Sequence, residues 1–136
     1  MKLNIDRVIG HEHPTQERIR LFASGTCNLK DYALLEVIVD EQGQISNQKG
    51  HMYFFPDLPI ADGDLVMLYT SEGVNQCTPM QAGKSQKLIN LYWGLPEPIW
   101  HQDKKDKAML VKVSGQQMKN VLPDSSDPYL HYKEPA

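Results

Sequence analysis

Short segments that alternate between hydrophobic and polar residues dominate the chain. In segment 17–23, Ile19, Leu21 and Ala23 fall on one side of an extended strand, and the intervening Arg18 and Arg20 fall on the other. Alternation with a period of two residues is typical of half-buried β-strands. The pattern predicts a strand in each of seven segments: 3–9, 17–23, 32–39, 51–55, 65–70, 87–93 and 108–113.

The segment 32–39 differs from the others because it is apolar on both sides. One side consists of four small or branched apolar residues, Ala33, Leu35, Val37 and Val39. The other side carries Glu36 between Leu34 and Ile38. A strand of this kind is expected at the centre of a sheet, with part of its second side covered.

Turn-forming residues separate these segments at short intervals. Nine glycines are spread over the chain, and those at the ends of Asp40–Gly43 and Ile60–Gly63 fall where a tight turn needs a positive φ. Segment 74–86 has no clear period and is predicted to be a long loop, and a short helical turn through Met118 is expected after Gly115. Because long helices have little room, the sequence predicts an all-β sandwich of about seven strands.

The domain organisation follows from length and from the C-terminal composition. A chain of 136 residues with 40% hydrophobic residues fits one domain of ordinary size. Segment 123–128 contains prolines and polar turn residues and has no apolar periodicity. We therefore expect one folded domain over 1–122 and a flexible tail over 123–136.

Net charge and hydropathy restrict the cellular setting and the partners. The net charge of −3 disfavours broad electrostatic binding to nucleic acid. No apolar run approaches the length of a transmembrane helix, and Met1–Arg7 lacks the apolar stretch of a secretory signal. We therefore expect a cytoplasmic protein without membrane contact, in which Cys27 and Cys77 are reduced thiols.

The order of several short motifs resembles that of lamin-tail domains. The motifs, in chain order, are Glu17–Leu21, Asn28–Leu34, Tyr53–Pro56, Ile60–Val66, Tyr92–Trp93, Ile99–Trp100 and Asp106–Leu110. They are similar to the family patterns E-x-V-x-L, n-L-s-x-W-x-L, F-P, L-x-p-G-x-x-V and i-W-x-x-x-g-D-x-A-x-L. The resemblance covers about residues 4–115.

The sequence departs from the family pattern at two positions. Tyr32 stands where the family usually has Trp, and Lys105 stands where a Gly normally precedes the Asp. The resemblance implies an immunoglobulin-like β-sandwich that acts as a non-catalytic interaction module. Under this interpretation the expected partner is a protein, and no catalytic residue, metal ion or cofactor is expected.

Large aromatic and basic residues near the C-terminal strands are the candidate binding residues. Exposed rings can stack on sugars or bases or anchor a protein partner, whereas large aromatics near strand ends more often pack in the core. Alternation allows only one of Tyr92 and Trp93 to face inward, and for Trp100 a buried position over one end of the sandwich is favoured. The candidate surface consists of Tyr92, Trp93, Trp100, Lys104, Lys105 and Lys107. The lysines can also belong to a solvated sheet edge.

Two other functions stay open at this point. Histidines and acidic turn residues can hold a metal ion or take part in hydrolysis, although turn aspartates more often cap their own backbone. The residues concerned are His11, His13, His51, His101, Asp57, Asp62 and Asp64. The first alternative is therefore a small metal-dependent enzyme or hydrolase. The second is nucleic-acid contact through a stripe of lysines around the last strand, Lys104, Lys105, Lys107, Lys112 and Lys119. Segment 81–85 ends like a phosphate-binding loop but lacks its first glycine, because position 78 is Thr78.

The composition of the C-terminal segment yields a testable prediction. Deletion of residues 123–136 should leave the melting temperature nearly unchanged, because the segment offers almost no apolar periodicity to the core. The measurement is thermal unfolding of the full chain and of the truncated chain, followed by circular dichroism. A large drop would instead mean that Tyr129, Leu130 and Tyr132 dock on the sandwich.

Overall fold

The computed structural model describes residues 1–46, 50–101 and 106–121 and consists mainly of β-strands. In chain order the strands are β1 Leu3–Ile9, β2 Arg18–Ala23, β3 Cys27–Asn28, β4 Tyr32–Ile38, β5 Met52–Phe54, β6 Pro59–Ile60, β7 Leu65–Tyr69, β8 Gln76–Pro79, β9 Lys87–Tyr92 and β10 Asp106–Lys112. A single 3-10 turn, Leu29–Asp31, is the helical element of these ranges.

Within the described ranges the strands form three sheets. A five-stranded sheet has the order β1-β2-β7-β9-β8, and its strands are antiparallel except for the parallel pair β7 and β9. A three-stranded antiparallel sheet has the order β10-β4-β5, so β4 is its central strand. The short strands β3 and β6 form a separate pair.

The two larger sheets pack against each other over a shared core. The five-stranded sheet contributes Ile19, Leu21, Ala23, Val66, Leu68, Ile89 and Leu91. The opposite layer contributes Tyr32, Leu34 and Phe55. Full burial of an aliphatic or aromatic side chain stabilises a fold by roughly 1.5–3 kcal/mol, so this shared core is the main source of stability. The predicted all-β sandwich is therefore confirmed.

The seven predicted strands are all present, but the structure contains three short strands that the pattern did not predict. The predicted loop 74–86 contains β8, whose four residues are all exposed. An exposed edge strand needs no apolar alternation, which is why periodicity missed it. The helical turn expected after Gly115 is absent, since residues 113–121 have no regular secondary structure. The predicted tail lies outside the described residues.

A buried carboxylate connects three distant segments at one end of the sandwich. Glu17 is 1% exposed, and its Oε1 accepts hydrogen bonds from the Thr70 hydroxyl (2.8 Å) and the Ile99 N–H (2.8 Å). Its Oε2 accepts hydrogen bonds from the N–H groups of Trp100 (3.2 Å) and Glu12 (2.6 Å). Four donors replace the hydrogen bonds to water that the carboxyl group loses on burial.

We predict that Glu17→Gln destabilises the protein by at least about 2 kcal/mol. The amide nitrogen would face N–H groups that now donate to an oxygen, and hydrogen bonds to a charged group contribute roughly 1.5–3 kcal/mol each. Urea unfolding followed by tryptophan fluorescence measures the loss. The matched control is Glu72→Gln at an exposed position, where a change within about 0.5 kcal/mol is expected. Equal losses in the two variants would contradict the role of Glu17.

Candidate functional site

The outer face of the three-stranded sheet is apolar. Strand pairing places Val111, Ala33 and Phe54 in one row across the sheet, and Met109, Leu35 and Met52 in the next row. Cross-strand neighbours in an antiparallel sheet point to the same side. We call this surface the apolar face, defined by Ala33, Leu35, Val37, Met52, Phe54, Met109 and Val111.

The apolar face is open to solvent at its β5 side. Phe54 is 63% exposed and Met52 is 49% exposed. Leu35 and Met109 are half-buried, and the small Ala33 is buried between its larger row neighbours. The inner side of the same sheet, which contains Leu34, belongs to the shared core. Strand β4 is therefore apolar on both sides, although the sandwich itself buries only one of them.

The surroundings of the apolar face extend its apolar character at one end and add a charge at the other. Phe54 lines a shallow groove of about 580 Å³ together with Val113 and Met118 from the segment after β10. At the opposite end Lys107 pairs with Val37. Among the described outward positions of the three strands, Lys107 is the only charged residue.

The outer face of the five-stranded sheet has a different character. Arg20 Nε lies 3.3 Å from the Asp6 carboxylate, and the Arg18 guanidinium lies 5.5 Å from the centre of the Tyr69 ring. Phe22 is also on this face but is only 38% exposed. Charged side chains and an ion pair make this face compatible with water, whereas the apolar face has a single charged residue, Lys107, at its end.

Tyr92, the first of the predicted binding residues, packs on the outer face of the five-stranded sheet. Its ring stacks on Tyr69, with centroids 4.9 Å apart and planes inclined by 13°. Gly73 approaches the same ring so closely that a Cβ at this position would lie 2.3 Å from it. The ring is therefore engaged by its own sheet, on the side opposite to Trp93 and Trp100, which pack against the core.

Trp93 and Trp100 lie on the inner side, as members of an aromatic cluster. Trp93 contacts Tyr53, Trp100 and His51, with ring centroids 5.6, 6.4 and 6.3 Å apart, respectively. Burial raises the pKa of the Tyr53 phenol, so this side chain stays neutral at physiological pH. Trp100 is 4% exposed, which confirms the predicted buried position and removes it from any binding surface. The prediction that only one of Tyr92 and Trp93 faces inward is confirmed as well.

The lysines of the predicted surface divide into two groups. Lys107 is exposed at the end of the apolar face, as described above. Lys104 and Lys105 lie outside the described residues. The residues predicted from the sequence did not include Phe54 or Met52, although the two apolar sides of segment 32–39 indicated the surface that these residues extend.

The histidines form pairwise contacts with carboxylates. His51 Nδ1 lies 2.7 Å from Glu36 Oε1, and His101 Nδ1 lies 3.2 Å from Glu12 Oε1. Glu36, His51 and His101 also line a cavity of about 360 Å³. Within residues 1–46, 50–101 and 106–121, no three His, Cys, Asp or Glu side chains are grouped closely enough to hold a metal ion. His51 therefore connects the start of β5 to β4, and His101 connects the segment after Trp100 to the turn between β1 and β2.

The acidic turns stabilise the backbone. Asp64 is fully buried, and its carboxylate accepts hydrogen bonds from the N–H groups of Ala61 and Lys87, both at 2.9 Å. Asp57 accepts a hydrogen bond from the Asn28 side chain at 2.9 Å. The interpretation as a capping residue is confirmed for Asp64, whereas Asp57 contacts a side chain instead of its own backbone. Strand β9 begins soon after segment 81–85, so the helix that a phosphate-binding loop needs is not formed there.

The two cysteines occupy separate places and form no disulfide. Cys27 is on β3 and is half-buried, whereas Cys77 is on β8 and is exposed. Burial raises the pKa of the Cys27 thiol, although the Tyr32 hydroxyl opposes this effect by hydrogen bonding. A thiol with a raised pKa is protonated at neutral pH and is a poor nucleophile.

Comparison of the chain with protein-family models and with curated proteins finds no match in either set. Within the described ranges, no helix has the length and apolar character that a membrane crossing requires.

We predict that Trp100→Ala lowers the free energy of unfolding by about 3–5 kcal/mol. Removal of a buried tryptophan loses its transfer free energy and leaves a cavity. Denaturant unfolding measures the loss, and Phe54→Ala is the control, for which a loss below about 1 kcal/mol is expected because the ring is largely exposed. A small loss for Trp100→Ala would return this residue to the candidate binding residues.

Proposed function

We propose that this protein is a non-catalytic interaction module that binds another protein through the apolar face. The observation that carries the proposal is the two-sided apolar character of β4, combined with burial of only one side in the shared core. Contiguous apolar surface on a folded chain is typical of sites that bind other proteins.

The composition of the face supports a protein partner in particular. Phe54 provides a large aromatic group, and Met52 and Met109 are unbranched side chains that adapt to the shape of a partner. Aromatic residues and methionine are enriched at protein interfaces, whereas lysine is depleted there. Lys107 lies at the border of the face, where it can attract an acidic residue of the partner without being buried.

Membership in the lamin-tail family and a cytoplasmic location belong to the same proposal. The order of motifs from Glu17–Leu21 to Asp106–Leu110 supports the first assignment, and an interaction module is the function that this resemblance implies. The two unpaired cysteines support the second, because the cytoplasm keeps thiols reduced.

Site-specific photo-crosslinking tests the proposal. A benzophenone-bearing phenylalanine analogue is placed at Phe54 in one preparation and at Phe22 in another, since both residues are exposed phenylalanines on outer sheet faces. Each preparation is irradiated in extract of cells that express the protein natively, and crosslinked proteins are identified by mass spectrometry. We expect a defined crosslinked protein at Phe54 and none at Phe22.

Measurement with the purified partner completes this test. Phe54→Asp should weaken binding of the crosslinked protein at least tenfold, because a central aromatic anchor typically contributes about 2 kcal/mol or more. Phe22→Asp should leave the affinity unchanged. Equal crosslinking at both positions, or equal effects of the two substitutions, would contradict the proposed function.

A further inference from the structure

We infer that the partner element that occupies the apolar face is an amphipathic α-helix of about three to four turns. This inference rests on the proposed function and specifies the structure of the partner segment. It is based on the dimensions of the face, on the side chains that form it, and on the position of its single charge.

The dimensions of the face match one helix. Three strands spaced by about 4.8 Å give a distance of about 10 Å between the outer two, and the path from Lys107 to Val111 along β10 is about 14 Å long. An α-helix with its side chains is about 10–12 Å wide, and three turns extend for about 16 Å. One helix of this length therefore covers the face from edge to edge.

The short outer edge of the sheet disfavours an added strand as the occupant. An added strand would pair with the outer edge of β5, which is only three residues long. Such a strand would extend the sheet sideways and leave Leu35 and Met109 uncovered.

The side chains of the face fit the ridged surface of a helix. In one row Leu35 lies between Met52 and Met109, whose flexible side chains can adjust to apolar residues spaced at i, i+3, i+4 and i+7. In the next row Phe54 projects into solvent beside the groove that Met118 helps to form. In helix-in-groove recognition, an amphipathic helix lays its apolar face into an apolar groove of this kind.

The charge of Lys107 sets the orientation of the helix. Because Lys107 lies at one end of the face and is exposed, it favours an acidic side chain in the helical turn above it. The negative end of the helix dipole, at the C-terminus, also favours this position. We therefore place the C-terminal turn of the helix, with at least one acidic residue, over Lys107.

A designed peptide is the probe for this inference. The probe is a capped 14-residue helical peptide with leucines at positions i, i+3, i+4 and i+7 and a glutamate in its last turn. A scrambled peptide of the same composition, without an apolar stripe, is the control. Binding is measured by fluorescence anisotropy, and the methyl signals of Met52 and Met109 are followed by NMR spectroscopy.

The helical peptide should bind and shift both methyl signals, and the scrambled peptide should bind at least tenfold more weakly. Phe54→Asp should reduce affinity at least tenfold, whereas Phe22→Asp should not change it. Lys107→Glu should weaken binding severalfold, and a peptide with lysine in place of the glutamate should restore it. Thermal unfolding verifies that each variant is folded. If Phe54→Asp does not fold, Met52→Asp is used in its place.

The outcomes separate this inference from the proposed function. Equal binding of the two peptides, or binding that Phe54→Asp does not weaken, would overturn the helix. Sedimentation equilibrium that detects a dimer abolished by Phe54→Asp would overturn it in favour of a second copy. A crosslink from Phe54 to a strand or loop of the partner would overturn the helix and retain the proposed function. Absence of any crosslink at Phe54 would overturn both.

Discussion

The buried carboxylate of Glu17 determines how one end of the sandwich is organised. It stands immediately before β2 and accepts hydrogen bonds from Thr70, which follows β7, and from the backbone of Ile99 and Trp100. Burial of a carboxyl group costs free energy unless hydrogen-bond donors replace its water, so these segments meet at this point. The consequence is a buried Trp100, from which the chain continues toward β10 and completes the three-stranded sheet.

The two outer faces of the sandwich meet water in different ways. The five-stranded sheet carries arginines, including the Arg20–Asp6 ion pair, and its tyrosines stack on each other. The three-stranded sheet presents apolar groups with one lysine at the end. Apolar surface that stays in water costs free energy that burial against a partner would recover. This asymmetry separates a supporting face from the proposed binding face.

Most chemically active side chains of the described structure take part in structural contacts. Asp64 caps a turn and holds the start of β9, and the His51–Glu36 pair joins the beginning of β5 to β4. Two of the aromatic candidates, Trp93 and Trp100, also take part in structural contacts, because they pack in the interior. These side chains are therefore engaged in the fold itself.

Local periodicity in the sequence was sufficient to predict the seven main strands and the sides on which their residues lie. It predicted the buried side of β2 and the opposite directions of Tyr92 and Trp93, because alternation depends only on neighbouring residues. It also revealed that 32–39 is apolar on both sides. It could not identify β8, because all four residues of this edge strand are exposed and leave no pattern.

The tertiary structure decided which side of β4 joins the core and which side stays exposed. Pairing with β5 and β10 brings Phe54, Met52 and Met109 onto one face, although β10 is remote from β4 in sequence. It also decided the role of Glu17, whose donors Ile99 and Trp100 are 82 and 83 residues away. Alternation along a strand specifies which side chains share a side, whereas the packing of layers, which depends on long-range contacts, determines what each side meets.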